Sequence, residues 1–110
     1  GRIGSEVAIR AQAFGMTVVA FDPYIADERF LALRVRRALS LDALLTESHI
    51  LTMHVPLNDE TRGMIGKREL GRLPARSIVV NMARGGIIDE ANTAVRLCAD
   101  YLKDQLHGNA

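Results

Sequence analysis

The chain of 110 residues (12.1 kDa) carries 14 Lys plus Arg against 13 Asp plus Glu, a formal net charge of +1, with 48% hydrophobic residues. That is enough apolar material for a core, and too even a charge for a dedicated nucleic-acid binder. No apolar run approaches the ~20 residues that cross a bilayer, no export signal is visible, and the single cysteine, Cys98, excludes an internal disulfide and a clustered-cysteine zinc site. The class this leaves is a cytoplasmic α/β domain that binds neither nucleic acid nor membrane.

In chain order, Gly1-Arg2-Ile3-Gly4 leads into a helix from Ser5 to Gly15. Val7, Ala8, Ala11 and Phe14 form its apolar stripe, while Ser5, Glu6, Arg10 and Gln12 fall largely elsewhere. Gly15 suits the left-handed position just past a helix end. Thr17 to Phe21 reads as a buried parallel strand, aliphatic and β-branched, terminated by Asp22-Pro23. Phe30 to Leu33 continues a short helix and Leu33 to Arg37 holds a small edge strand. Ser40 caps a helix carrying Leu41, Leu44 and Leu45.

Ile50 to His54 is the next strand, closed by Val55-Pro56-Leu57. Asn58-Asp59-Glu60-Thr61 reads as a helix start, with acids at the positive dipole end. Lys67 to Leu73 is a further helical segment stopped by Pro74, and Ser77 to Asn81 is a third buried strand. From Glu90 to Leu106 the apolar positions Ala91, Ala94, Val95, Cys98, Tyr101, Leu102 and Leu106 recur at helical spacing, an amphipathic helix. Strands alternating with helices predict a Rossmann-like doubly wound parallel sheet in a three-layer α/β/α arrangement.

A dinucleotide fingerprint needs a tight turn, a helix starting at once, and an acid at the end of the next strand. Gly1 and Gly4 match the last two glycines of G-x-G-x-x-G. Gly1 lets backbone approach a pyrophosphate, Gly4 lets the helix sit close to a neighbouring strand, and the amides of Arg2 and Ile3 face the phosphates. Asp22 follows at the strand end, where a carboxylate accepts both ribose hydroxyls and repels a 2′-phosphate, favouring NAD over NADP. Either feature alone is commonplace. Their spacing, across a helix and an aliphatic strand, is what carries weight.

Ligands of open parallel sheets bind beyond the carboxyl ends of strands. Two such ends carry His54-Val55-Pro56 and Asn81-Met82-Ala83-Arg84-Gly85-Gly86. Pro56 fixes a turn on the nicotinamide side, and Thr61 offers a hydroxyl or amide to phosphate or ribose. Arg84, in a glycine-flanked loop, presents two parallel donors to a carboxylate or keto oxygen. Fixed there, it stabilises charge that grows on the carbonyl during hydride transfer. The plain alternative is a surface arginine on a turn. His54 is read as structural, because no carboxylate partner is evident behind it. His49 and His107 sit at element ends, and no pair has zinc-site spacing.

Taken together, Gly1-Arg2-Ile3-Gly4, Phe21-Asp22-Pro23-Tyr24, His54-Val55-Pro56-Leu57 and Asn81 to Glu90 resemble the D-isomer-specific 2-hydroxyacid dehydrogenases, over residues 1 to 91. The nearest in character are phosphoglycerate dehydrogenase-like and glyoxylate or hydroxypyruvate reductase-like enzymes. The resemblance implies an NAD-binding domain (residues 1–91) of a homodimeric oxidoreductase acting on a small 2-hydroxy or 2-keto acid. It places Arg2 and Ile3 at the pyrophosphate, Asp22 at the ribose, and His54, Val55, Pro56, Thr61 and Asn81 beside the cofactor. Met82, Ala83 and Arg84 fall under the nicotinamide, with Arg84 as the substrate-orienting arginine.

The family's proton-transferring histidine and its glutamate have no counterpart here, so these residues by themselves are expected to lack turnover. Residues 92–110 look like the family's closing carboxyl-terminal helix. The fingerprint's leading strand is likewise missing, so the strands at Thr17 and Ile50 are expected to have no shared neighbour. Unpaired inner edges are costly when buried, and a stable isolated monomer is not expected. A second reading is an NAD-binding regulatory or corepressor-like module without turnover; a third is a remnant that binds nothing.

Overall fold

The computed structural model describes residues 2–89. Gly1, the amphipathic segment from Glu90 onward, Cys98 and His107 lie outside the described residues. Helices and strands alternate as expected: α1 (Arg2–Ala13), β1 (Val19–Ala20), α2 (Asp27–Leu33), β2 (Arg36–Arg37), α3 (Leu41–Glu47), β3 (Ile50–Met53), α4 (Lys67–Leu70) and β4 (Ile78–Asn81). β1 pairs in parallel with β2, and β3 with β4. Among the described residues no ladder joins β1 to β3, so the sheet is two separate parallel pairs. This is the partial, open Rossmann-like arrangement that the sequence predicts.

Two apolar clusters underlie the two pairs. Leu45, Leu51, Met53, Ile65, Val79, Ile87 and Ile88 form the larger; Ala8, Phe30 and Val35 form the smaller. The larger one is sealed by chain after the last strand. Ile65 and Ile88 form a parallel bridge, with Ile65 N donating to Ile87 O at 3.1 Å and Asp89 N to Ile65 O at 2.9 Å. Ser40 caps α3 as expected, its hydroxyl accepting from Ala43 N at 3.1 Å.

Several expectations need correction. The strand at Thr17–Phe21 shrinks to two half-buried paired residues, because only one of its edges has a ladder partner. Of β4, only Val79 is buried and Ile78 is 46% exposed, so this strand too is covered less than its aliphatic run suggests. Phe14 lies outside the α1 stripe at 86% exposure, since the helix ends one residue before it. Gln12 faces inward instead, donating from Nε2 to Leu33 O (3.1 Å) and Arg34 O (2.9 Å). It thereby satisfies the carbonyls left open at the end of α2, where Arg34 takes a left-handed conformation at φ 57°.

Asn58 to Thr61 begins no helix. Thr61 N donates to Asn58 Oδ1 (3.0 Å) and Asn58 N to Thr61 Oγ1 (2.9 Å), local bonds that compete with helix propagation. One helical turn closes, Arg62 N to Asn58 O at 2.9 Å, and Gly63 ends it at φ 65°. α4 stops at Leu70, short of Leu73, with Glu69 Oε1 accepting from Gly66 N at 2.9 Å at its start.

Candidate functional site

The start of α1 and the loops after β3 and β4 meet in one cleft, lined by Ile3, His54, Val55, Pro56, Met82, Ala83 and Arg84. Residues about 80 positions apart in sequence are thus neighbours, because both parallel strands end on the same side of their pair. The cleft is open and about 200 Å³. Pockets that enclose a drug-sized ligand run ~300–1,000 Å³, so this cleft is too small and open to enclose one. Ile3 and Met82 hold apolar side chains over it, 65% and 66% exposed. The first turn of α1 carries no acidic residue, which leaves the positive helix end uncompensated for an anion.

Asn81 sets the arginine loop. Its Oδ1 accepts from Ala83 N at 3.0 Å and its Nδ2 donates to Arg84 O at 2.7 Å, clamping three residues at the end of β4. On the far side Gly86 has φ 89°, a conformation glycine adopts without strain, and its carbonyl accepts from Gly63 N at 2.6 Å. The backbone of Arg84 is therefore held from both directions. Its side chain is exposed and makes no hydrogen bond or ion pair among the described residues, so its donors stay available to a ligand.

His54 Nε2 is hydrogen-bonded to Thr52 Oγ1 at 2.8 Å. Its Nδ1 is buried with no partner, and burial pushes the imidazole below its ordinary range, favouring the neutral ring. Among the described residues no carboxylate is bonded to it. A methyl at Gly4 would lie 3.8 Å from His54 Cβ, ordinary van der Waals contact. α1 therefore does touch the end of β3, but less tightly than a strict need for glycine implies.

Asp22 and Thr61 lie outside the cleft walls. Asp22 stands half-buried past the end of β1, one carboxylate oxygen accepting from Tyr24 N at 2.9 Å, which leaves the other open. Both polar groups of Thr61 are engaged within its own loop, the amide with Asn58 and the hydroxyl donating to Pro56 O at 2.5 Å. It braces the loop that carries Pro56. Arg2 is exposed at the first position of α1. Sequence reasoning missed the Asn81 clamp, although asparagine at a strand end is a known turn-former. Among the described residues no group of three His, Cys, Asp or Glu side chains is placed to hold a metal.

The family model for the D-isomer specific 2-hydroxyacid dehydrogenase, NAD binding domain, matches residues 1–103. The chain belongs to this family. The match continues past Ala91, where the motif resemblance stopped. D-3-phosphoglycerate dehydrogenase of Bacillus subtilis is 45% identical over 91 residues, covering 83% of this chain. This chain spans 17% of that relative's length. The apo-structure of D-lactate dehydrogenase from Escherichia coli superposes with a TM-score of 0.77 at 30% identity, covering 96% of this chain and 32% of the other. The NAD-complexed D-isomer specific 2-hydroxyacid dehydrogenase from Lactobacillus delbrueckii gives 0.75 at 31% identity, covering 94% and 29%.

NAD is accordingly the cofactor of this domain. The residues present fit it: an uncompensated helix end for the pyrophosphate, apolar walls for a ring, and an open carboxylate oxygen on Asp22. No described helix is long and apolar enough to cross a membrane.

Proposed function

We propose that the full-length protein moves a hydride between NAD and C2 of a small D-2-hydroxy or 2-keto acid, and that Arg84 orients the substrate. The observation that carries this reading is the placement of Arg84. Its backbone is clamped by Asn81, its guanidinium is unpaired among the described residues, and it shares one cleft with the start of α1. When bound, NAD supplies the hydride-accepting or hydride-donating carbon. The chain's own residues bind and orient. Backbone at Arg2, Ile3 and Gly4 would hold the pyrophosphate, and the open oxygen of Asp22 would take the adenosine ribose. Val55 and Pro56, braced by Thr61, wall one side of the cleft with His54 beside them, and Met82 and Ala83, held by Asn81, would hold the nicotinamide on the other.

Arg84 then pairs with the substrate carboxylate or carbonyl, where its fixed charge counts most as negative charge develops on oxygen. The resemblance implies that a histidine oriented by a glutamate supplies the proton that completes the alcohol, and no histidine among the described residues is paired with a carboxylate. The names of the relatives support phosphoglycerate-, glyoxylate- or lactate-like substrates. We further infer a homodimer, as the resemblance implies, and a cytoplasmic location, as the composition suggests.

Steady-state NADH oxidation by the full-length protein, with each keto acid in turn, tests the reading. Arg84→Ala should lower kcat/KM by roughly 10²–10³, the scale of losing one transition-state donor, while NADH affinity changes less than about three-fold. Unchanged kcat/KM in this variant would remove Arg84 from the mechanism.

A further inference from the structure

The adenosine side of the site carries a second acid that the fingerprint does not include. Tyr24, two residues after Asp22, donates its amide to the Asp22 carboxylate at 2.9 Å and its hydroxyl to Glu60 Oε2. Pro23 restricts the backbone between the first two. Glu60 comes from the loop after β3, held by the reciprocal Asn58 and Thr61 bonds and by Thr61 to Pro56 O. One tyrosine therefore ties the loop after β1 to the loop after β3, across the interval where no ladder joins the two strand pairs. Its phenol is held above the ordinary range, chiefly by the bond to Glu60, with further contributions from burial and from the charges of Glu60 and Asp22. Glu60 thus meets the phenol of Tyr24 directly, and Asp22 meets the same residue through its backbone amide.

We infer that Glu60 is a second determinant of cofactor choice: held beside Asp22 through Tyr24, it adds a negative charge that a 2′-phosphorylated dinucleotide must also meet. This rests on the NAD reading above and deepens it. Asp22 acts at short range, since its open oxygen takes the ribose hydroxyl. Glu60 acts through charge and through Tyr24, which fixes both its own position and that of the Asp22 carboxylate. Neutralising Asp22 alone leaves one repelling charge in place.

Fluorescence titration of the full-length protein with NADH and NADPH tests this at low and high salt. Glu60→Gln should shift the affinity ratio toward NADPH by about five-fold at low salt, the scale of one solvent-exposed charge interaction. The shift should fade near 1 M salt, where screening reaches ~3 Å. Tyr24→Phe keeps both charges but releases Glu60, and should move the ratio the same way by a smaller factor. In an Asp22→Asn background, Glu60→Gln should improve NADPH binding again. An unmoved ratio, equal weakening of both dinucleotides, or a shift insensitive to salt would overturn the role of Glu60 while leaving NAD binding intact. Absence of saturable NADH binding by the unmutated protein would overturn the NAD reading, and this inference with it.

Discussion

The β3–β4 half and the β1–β2 half share parallel pairing, yet one has strands of four residues and the other strands of two. The first rests on a cluster with four fully buried large side chains, Leu45, Ile65, Ile87 and Ile88. The second has only Ala8, Phe30 and Val35 buried under it, with Val18, Ala20, Ile25 and Leu33 partly buried against them, and adds polar contacts. Gln12 closes the end of α2, while Arg37 lies 5.1 Å from the Phe30 ring centroid and pairs with Asp27. Burial is the larger source of stability per residue, and exposed ion pairs contribute little. The difference therefore places the rigid part of the domain under Arg84 and the weaker part under Asp22. On the proposed reading, substrate positioning by Arg84 would sit on the strong half and cofactor recognition would span both.

The largest effect that should separate the halves comes from Leu45, fully buried in the larger cluster. Leu45→Ala in the full-length protein should cost about 2–5 kcal/mol in urea denaturation, the range for cavity-forming core truncations. A cost under about 1 kcal/mol would mean that the larger cluster is not the stabilising core. A smaller effect tests the polar half: Gln12→Ala should cost about 1 kcal/mol, typical of lost hydrogen bonds. Amide exchange should show that loss as faster opening at Phe30 to Arg37, with the amides of β3 and β4 unaffected.

His54 gives the smallest effect, and a pH-dependent one. Its imidazole is held below the ordinary value of ~6.5 by burial. The folded protein thus takes up this proton at lower pH than the unfolded chain, so stability is undiminished above that value and falls as pH drops below it. His54→Gln should flatten the decline in stability on the acid side of ~6.5 and change little above it. An identical acid profile in the variant would show that His54 does not titrate with folding.

Much of this was legible in the residues themselves. The first helix (expected from Ser5, observed from Arg2), the cap at Ser40, and the strands at Ile50 and Ile78 follow from local chemistry, and local chemistry is what a sequence displays. The gap between β1 and β3 was legible too, since it follows from strand order. Burial depth was less so: Thr17 to Phe21 reads as fully covered because its side chains are apolar, but covering depends on neighbours that are distant in sequence. Gln12 and Asn81 were misread or passed over for the same reason, their partners being backbone groups that only the folded chain brings near. Ile87 and Ile88 read as the tail of the arginine motif, whereas their packing on Ile65 makes them the seal of the larger core.

The start of α1 and the ends of β3 and β4 share one cleft, and Asp22, outside its walls, is proposed to hold the far end of the same dinucleotide. Backbone amide NMR of the full-length protein titrated with NADH measures that directly. Perturbations should gather at Ile3, Gly4, Asp22, Val55, Ala83 and Arg84, with Gly15, Ser48 and Ser77 at the other ends of these elements unmoved. Perturbations concentrated at Gly15, Ser48 and Ser77, with the Arg84 loop silent, would contradict it.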